Sequence, residues 1–314
     1  MLARAITLAE SALPPDQQLA GEILDALLPH TGKSTRLGIT GSPGVGKSTF
    51  IEVFGKTLIA SGKKVAVLSI DPSSQLTKGS ILGDKTRMLE LARNPNAFIR
   101  PSPAGRALGG VATHTRETIL LCEAAGYDTI IVETVGTGQS EIAIKTMVDF
   151  FLLLMQPGSG DELQGIKKGI VEMADAIAIT KADGDNLRAA KVAVADFKHA
   201  LHLRRPHASG WIPPVMMCSA LEETGLREIH DMLENFKTQL SASGHFQANR
   251  VRQQTEWFRD HFNYLLSTDP DQFPEVRDTQ RQLEERIQSN TLSPRNAARA
   301  LLEAYRRAVR DWNG

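Results

Sequence analysis

A glycine-rich stretch between residues 41 and 49 carries the residue types that bind the phosphates of a nucleotide. The glycines permit close backbone approach, so that successive N–H groups can surround a phosphate. In the matching pattern, G-x-x-x-x-G-K-[ST], the lysine reaches the outer phosphates and the hydroxyl binds Mg²⁺. We therefore predict a catalytic Lys47 and a nucleotide-binding loop made of Gly41, Ser42, Pro43, Gly44, Val45, Gly46, Lys47, Ser48 and Thr49.

The residues on either side of this loop supply the strand and the helix that such a loop needs. Leu37–Thr40 is a short β-prone run, and residues 50–60 have apolar side chains at helical spacing. The helix would point the positive end of its dipole at the phosphates. A glycine-rich turn that binds no nucleotide is the other interpretation, and the strand–loop–helix context favours the nucleotide site.

Two short motifs later in the chain indicate which base the nucleotide carries. Residues 180–183, T-K-A-D, resemble the N-K-x-D motif, and residues 219–221 resemble an S-A-L/K element. An aspartate can accept two hydrogen bonds from guanine, and adenine offers no such pair of donors. A strand-end turn would also explain a lone K-x-D, but its place in the order of motifs favours GTP over ATP. The predicted contacts to the base are Lys181, Asp183, Ser219, Ala220 and Leu221.

The first position of T-K-A-D departs from the guanine motif. Thr180 stands where the motif has asparagine. The sequence therefore leaves open how this loop is tied to the phosphate loop.

Acidic residues near the ends of apolar runs indicate a divalent cation beside the phosphates. Asp71 and Glu133 each end such a run, and Asp84 lies between them in the chain. Three carboxylates near one triphosphate repel each other unless a cation lies among them. We predict Asp71 and Glu133 as catalytic residues and expect the Gly136 N–H to contact the terminal phosphate. The predicted Mg²⁺ ligands are Ser48, Asp71, Asp84 and Glu133, with a structural capping carboxylate as the alternative for Glu133.

The segment from 158 to 169 is charged and punctuated by glycines. Loops of this kind near a nucleotide are candidate switches, although ordinary exposed loops have a similar composition. We predict that Lys167 and Lys168 couple the nucleotide state to a partner protein.

Charge and cysteine content narrow the class of protein. The chain has 314 residues, with 36 basic and 36 acidic side chains, which argues against a broad face for nucleic acid or for an anionic membrane. Cys122 and Cys218 form neither a disulfide framework nor a C-x-x-C pair, which fits a reducing compartment. No apolar run is long enough to span a bilayer, and no secretory segment is present. We expect a cytoplasmic protein that binds neither nucleic acid nor membranes.

The order of the predicted elements indicates an α/β fold with a doubly wound, mostly parallel sheet. Several strand candidates are continuous apolar runs, as expected for a sheet covered on both faces. The predicted strands are 37–40, 64–70, 97–100, 129–133, 150–155, 176–180 and 215–218. The helices predicted between or after them are 48–60, 82–92, 113–125, 141–146, 165–173, 187–201 and 225–240.

We predict three regions: an N-terminal helical cap over 1–35, a P-loop nucleotide domain over 36–243 and a C-terminal helical appendage over 244–314. The appendage has helical patterns at 246–266, 272–289 and 294–312. The last pattern carries an apolar stripe, and the first contains two adjacent aromatic residues. Such faces pack either on their own domain or on a second chain. The stripe and the two aromatics are Ala298, Leu301, Leu302, Tyr305, Val309, Trp312, Trp257 and Phe258.

These motifs together resemble the MeaB/ArgK family of P-loop GTPases. The matching stretches read G-S-P-G-V-G-K-S-T, S-I-D-P-S-S, G-S-I-L-G-D-K-T-R-M, I-V-E-T-V-G-T-G-Q-S-E, G-D-E-L-Q-G-I-K-K-G and T-K-A-D-G-D-N. The resemblance covers nearly the whole chain. It implies a GTP-hydrolysing chaperone of an adenosylcobalamin-dependent acyl-CoA mutase of the methylmalonyl-CoA mutase type, which gates cofactor loading and protects or reactivates the mutase. It also implies a homodimer joined through the C-terminal helices and a third switch at 156–169.

Two other classes of function share parts of this pattern. A metallochaperone GTPase for a nickel enzyme has a similar nucleotide site, but it should carry Cys/His clusters that this sequence lacks. A metabolite kinase needs an acceptor pocket and a catalytic base, and the sequence identifies neither. A catalytic arginine is not assigned, with Arg87, Arg106 and Arg116 as unranked candidates.

Overall fold

The computed structural model describes residues 1–11, 13–71, 88–103, 108–134, 141–158, 168–202 and 209–312. The chain divides into two compact units, Met1–Gln254 and Thr255–Gly314. This division lies inside a helix that begins at His245. The predicted region boundaries after residues 35 and 243 stay predictions.

The first unit is built around one parallel sheet. In the described ranges seven strands lie in the order β3-β2-β4-β1-β5-β6-β7, and every neighbouring pair is parallel. The predicted doubly wound α/β fold is therefore confirmed. The strands are β1 (Thr35–Gly41), β2 (Val65–Asp71), β3 (Ala97–Pro103), β4 (Thr129–Thr134), β5 (Phe150–Met155), β6 (Ala176–Ile179) and β7 (Val215–Met217).

Helices of the first unit connect these strands and cover both faces of the sheet. They are α1 (Leu2–Ala9), α2 (Pro14–Leu27), α3 (Lys47–Ala60), α4 (Leu89–Arg93), α5 (Leu108–Ala124), α6 (Glu141–Lys145), α7 (Lys168–Met173), α8 (Leu187–His202), α9 (Leu226–Ala242) and the start of α10 (His245–Thr268). Three-residue 3₁₀ turns lie at Leu28–His30 and Gly184–Asn186.

The apolar core explains why polar and apolar residues do not alternate along the central strands. All residues of β4 and β5 are buried. Leu37 and Phe150 belong to a cluster with Phe54 of α3 on one face, whereas Val132 and Phe151 pack on the other face with residues from α1, α2 and α5. A sheet covered on both faces needs apolar side chains pointing in both directions.

Two prolines lie at the start of the second N-terminal helix. The break between α1 and α2 precedes the two prolines, and Pro14 is the first residue of α2. Proline is favoured there because its missing N–H has no helical partner to lose.

The second unit contains the end of α10, a 3₁₀ turn at Asp269–Gln272, α11 (Pro274–Gln288) and α12 (Pro294–Trp312). The buried side chains of α12 are Ala297, Ala304 and Ala308, and α12 packs on α11. The predicted stripe is therefore only partly covered, because Leu302 and Trp312 are exposed. Across the part of the chain that the structure describes, no helix combines the length and apolar character needed to span a membrane.

A buried charged cluster joins α10 to the edge of the sheet where β1 and β5 begin. Arg250 donates to both carboxylate oxygens of Asp149, at 2.8 and 2.7 Å, and to the backbone oxygens of Gly32 and Ser34. Arg36 forms a two-point ion pair with Glu123 beside it. The first two turns of α10 are thus held on the first unit.

Candidate nucleotide site

The parallel register brings the predicted site residues to one edge of the sheet. Ile39 of β1 pairs with Glu133 of β4, and Gly41 pairs with Leu154 of β5. The strands β1, β4, β5 and β6 all end at this edge, which is where doubly wound sheets bind ligands. The phosphate loop, the acidic strand end and the predicted guanine loop therefore lie together.

The phosphate loop runs from the end of β1 to the start of α3. Gly44 and Gly46 have φ angles of +81° and +95°, in the left-handed region that glycine adopts without strain. A Cβ atom on Gly41 would lie 2.5 Å from the backbone oxygen of Leu154, so this position requires glycine. Val45 is buried in the core, whereas Pro43 is exposed. Thr49, one residue into α3 from Ser48, is also exposed.

Lys47 is buried and turned back over its own loop. Its ammonium group donates to the backbone oxygens of Gly41 at 2.8 Å and Ser42 at 3.3 Å. The Ser42 hydroxyl is buried without a hydrogen-bond partner among the described residues. A cation and an unsatisfied hydroxyl in a curve of glycine backbone suit a polyanionic ligand.

Ser48 and Glu133 meet, as the metal prediction requires. The Ser48 hydroxyl donates to Glu133 Oε1 at 3.2 Å, and Ser69 of β2 donates to Oε2 at 3.4 Å. Glu133 is only 5% exposed. A carboxylate and a hydroxyl oxygen beside a phosphate loop fit Mg²⁺, which takes oxygen ligands.

The remaining predicted metal and phosphate residues are described less fully. Asp71 ends β2, whose Ile70 pairs with Thr134 of β4, so its backbone reaches the same edge. Asp84 and Gly136 lie outside the described residues. Within the described ranges, no group of three or more His, Cys, Asp or Glu side chains is arranged to hold a metal ion.

Thr180 supplies the link that the sequence left open. Its hydroxyl is 2.8 Å from the backbone oxygen of Val45 in the phosphate loop and 3.2 Å from that of Met155 at the end of β5. The side chain is buried. A threonine hydroxyl thus ties the predicted guanine loop to the phosphate loop.

Lys181 makes a second connection between the same two loops. It has a left-handed backbone, with φ +54°, which is uncommon outside glycine. Its ammonium donates to the Gly44 backbone oxygen at 2.8 Å and is 3.4 Å from Gln156 Oε1. The side-chain stem therefore runs beside the phosphate loop, and its contact with guanine stays a prediction.

Asp183 and Ser219 join the two predicted guanine motifs. The Ser219 hydroxyl donates to Asp183 Oδ2, and the Ala182 N–H donates to the Cys218 backbone oxygen at 3.1 Å. Asp183 Oδ1 has no partner in the described part of the chain, so it is available to a ligand. The sequence predicted that residues 219–221 contact the base, and it did not indicate the bond between the Ser219 side chain and Asp183.

The other residues of the 219–221 element are placed beside this pair. Ala220 is half-buried against the core, and Leu221 is 84% exposed. Burial raises the pKa of the neighbouring Cys218 thiol to about 12, so the thiol stays protonated.

Residues predicted to act on the partner or the transition state are only partly described. Lys168 is the first residue of α7, and Lys167 lies outside the described residues, as do Arg87 and Arg106. Arg116 is buried in α5 and donates to the Thr146 hydroxyl at 2.8 Å. This contact holds Arg116 against the end of α6.

Known proteins resemble this chain over almost its full length. It is 50% identical over 308 residues to the GTPase ArgK of Escherichia coli, covering 96% of this chain and 91% of that relative. It is 45% identical over 318 residues to the mitochondrial methylmalonic aciduria type A homolog of Mus musculus, covering 97% and 76%. A crystal structure of a LAO/AO transport system kinase, 44% identical, superposes with a TM-score of 0.73 over 96% of this chain and 91% of that one.

The family comparison agrees with these relatives. Residues 2–269 match the model of the methylmalonyl-CoA mutase-associated GTPase MeaB. That match, the named GTPases among the relatives and the joined phosphate and guanine loops point the same way. The chain is a P-loop GTPase that binds guanine nucleotide, and it belongs to the MeaB family of methylmalonyl-CoA mutase-associated GTPases.

Proposed function

We propose that this GTPase is a chaperone of an adenosylcobalamin-dependent acyl-CoA mutase. It would gate cofactor loading and protect or reactivate the mutase. The observation that carries the proposal is the family match over residues 2–269, whose description names methylmalonyl-CoA mutase. The name of the mouse relative, which refers to methylmalonic aciduria, supports the same metabolic context.

In the proposed site, the backbone of residues 41–49 surrounds the phosphates and Lys47 neutralises their charge. Asp183 accepts hydrogen bonds from guanine, the Lys181 stem covers the base, and Ser219, Ala220 and Leu221 border it. Ser48 and Glu133 hold Mg²⁺ with Asp71 and Asp84, and the Gly136 N–H contacts the terminal phosphate. When bound, Mg²⁺ supplies the positive charge that stabilises a transferring phosphoryl group.

Catalysis by this site alone should be slow. Arg116, the described arginine among the three candidates, is buried and bonded to Thr146, so no described candidate arginine is free to reach a phosphate. Completion of a GTPase site by a partner can raise turnover by about 10³ to 10⁵ at the upper end. If the client accelerates hydrolysis, the difference between the slow rate alone and the faster rate in the complex makes GTP hydrolysis depend on client binding.

We place the coupling to the client at Lys167 and Lys168. These residues end the glycine-punctuated segment that follows β5. Met155 at the end of β5 is bonded to Thr180, which is bonded to the phosphate loop. In the sequence, the segment that ends in these lysines directly follows β5, and reciprocity requires that GDP and GTP forms differ in client affinity.

We also propose a homodimer formed through the second unit. Along α10, Phe258, Phe262 and Leu265 are 70%, 53% and 49% exposed. Their spacing of four and three residues places them on one side of the helix. A second copy offers the same apolar seam, and burying it would remove large aromatic surfaces from water.

The experiment that tests the chaperone proposal measures phosphate release from GTP with and without the cognate mutase. The mutase should accelerate release by wild type, and Lys167→Ala or Lys168→Ala should reduce that acceleration while leaving basal hydrolysis unchanged. Lys198→Ala, an exposed lysine on α8, is the matched control and should behave as wild type. An unchanged rate together with equal mutase affinity for the GDP and GTP forms would refute the proposal.

The description of one solved relative as a kinase motivates a second measurement. If GTP labelled in its γ-phosphate is used in a mixture of small metabolites, a GTPase gives labelled inorganic phosphate alone. A labelled metabolite would instead favour the kinase. The nickel-metallochaperone alternative gains no support from the described residues, which contain no metal-binding cluster of His, Cys, Asp or Glu.

A further inference from the structure

Two threonines form a buried hydroxyl pair between the central strands. Thr40 Oγ1 of β1 and Thr134 Oγ1 of β4 are 2.9 Å apart, and the side chains are 1% and 0% exposed. The register that pairs Ile39 with Glu133 makes Thr40 and Thr134 the next neighbours along the two strands.

Packing alone does not call for hydroxyls at these positions. Val132, on the same face of β4 as Thr134, is apolar and fully buried, as is Ile39 next to Thr40 in β1, whereas Glu133 points to the opposite face from Thr134. Valine has nearly the same shape as threonine, and it would fill this space with no polar group to satisfy. The buried hydroxyls are tolerated because one donates a hydrogen bond to the other, so the pair is a specific, directional link.

This link lies where two parts of the nucleotide site begin. Thr40 directly precedes Gly41, the first residue of the phosphate loop, and Thr134 directly follows Glu133. Successive side chains of a strand point to opposite faces. The end of β4 is therefore held from both sides: Ser48 and Ser69 bind the Glu133 carboxylate on one face, and Thr40 binds Thr134 on the other.

The phosphate loop itself has other supports. Thr180 and Lys181 are bonded to the backbone oxygens of Val45 and Gly44. Removal of the hydroxyl pair would leave these contacts in place. It would loosen chiefly the end of β4, and with it the position of Glu133 relative to Ser48.

We propose that Thr40 and Thr134 are positioning residues for GTP hydrolysis, acting by holding Glu133 in register with the phosphate loop. The inference rests on the proposed role of Glu133 beside Mg²⁺ and is independent of the client mutase. Since the two hydroxyls form one bond, loss of both should lower turnover no further than loss of either. The effect should fall on turnover, while nucleotide binding is preserved.

The test is a double-mutant cycle with Thr40→Val and Thr134→Val, measured as kcat for GTP hydrolysis without mutase. Each single variant should lower kcat by about two- to tenfold, the effect of losing one hydrogen bond. The double variant should fall no further, as expected for residues that act as one unit. Affinity for GDP, measured by calorimetry, should stay within about twofold of wild type.

Two further variants keep the test specific. Thr134→Ser retains the hydroxyl and should keep kcat near wild type. Thr118→Val is the matched control, because Thr118 is fully buried in α5 and its hydroxyl has no hydrogen-bond partner among the described residues, and it should leave kcat unchanged. If one valine variant fails to fold, the kcat values of the other valine variant and of Thr134→Ser still show whether the hydroxyl pair affects turnover.

Three outcomes would overturn the inference: unchanged kcat in both single variants, losses that multiply in the double variant, or a loss of GDP affinity as large as the loss of kcat. Glu133→Gln, measured in parallel, tests the proposed metal role separately. Unchanged turnover in that variant would refute the role of Glu133. If the threonine variants nevertheless lowered kcat as expected, the pair would act on a group other than Glu133, and the inference would be wrong.

Discussion

Thr180 occupies a position where a single side chain joins three parts of the site. Its hydroxyl has one proton, and two backbone oxygens, of Val45 and Met155, lie within hydrogen-bond distance. An asparagine amide carries two donor hydrogens and could serve both acceptors. The threonine has a single proton for both acceptors. Its hydrogen bond to Val45 in the phosphate loop therefore competes with the one to Met155.

This geometry predicts the behaviour of two substitutions at position 180. Thr180→Val removes the bond while keeping the shape, and we expect GDP release to become about two- to tenfold faster, as for loss of one hydrogen bond. Thr180→Ser keeps the hydroxyl and should release GDP at nearly the wild-type rate. Stopped-flow release of a fluorescent GDP analogue measures both. Equal release rates for the valine and serine variants would show that the hydroxyl does not hold the loop.

At the scale of elements, α10 depends on a charge that the sequence does not single out. Arg250 is 5% exposed. Burial alone would lower the pKa of its guanidinium, but the hydrogen bonds and charge of Asp149 raise it, so the group remains charged. The same carboxylate accepts from the Arg36 N–H at the start of β1. The helix is thereby fixed to the first residues of two central strands.

Replacement of Arg250 should destabilise the fold more than it alters the nucleotide site. In Arg250→Met, Asp149 is left buried without its ion-pair partner, a change that typically costs about 3–5 kcal/mol. Arg252→Met, on the exposed side of the same helix, should change stability by less than about 0.5 kcal/mol. Urea unfolding of the two variants gives the comparison. Similar midpoints would mean that the buried cluster contributes little to stability.

The elements that could be predicted are those specified by a short stretch of neighbouring residues. Phe150–Met155 was predicted with the bounds that β5 has, because a short apolar run between Asp149 and Pro157 has few other readings. The phosphate loop was predictable because glycine is demanded by backbone geometry, as at Gly41. The predicted 82–92 helix is confirmed only at its end, where a helix spans Leu89–Arg93, since residues 72–87 lie outside the described ranges.

The features that the sequence did not predict depend on partners distant in the chain. Three hydrogen bonds join residues that come together only in the folded sheet: those of Thr180 with Val45, Thr40 with Thr134 and Arg250 with Asp149. The burial along α12 likewise depends on contacts that the sequence pattern does not specify. The buried side chains of α12 are small, Ala304 among them, whereas the larger Trp312 is exposed.

For the whole molecule, the proposed seam on α10 leads to a test of assembly in the full-length chain. Phe258→Asp combined with Phe262→Asp places two charges on the seam, and we expect a dimer to dissociate because desolvating unpaired charges opposes association. Asn263→Asp, an exposed neighbour, adds a charge beside the seam and should leave the dimer intact. Light scattering reports both masses, and GDP affinity should be unchanged. A dimer that survives the double substitution would place the interface elsewhere.

The strand order also sets a sequence of events during synthesis. The phosphate-loop strand β1 lies between β4 and β5, which emerge from the ribosome much later than residues 35–41. Parallel pairing of this kind joins segments that are far apart in the sequence. It is slow because the entropy cost of closing the long intervening loop comes before the strand contacts form. Until Phe150–Met155 has been made, Gly41 has no Leu154 against which to pack. A nascent chain therefore carries the complete phosphate-loop motif long before it can bind GTP, and its first strands expose apolar surface that chaperones would bind.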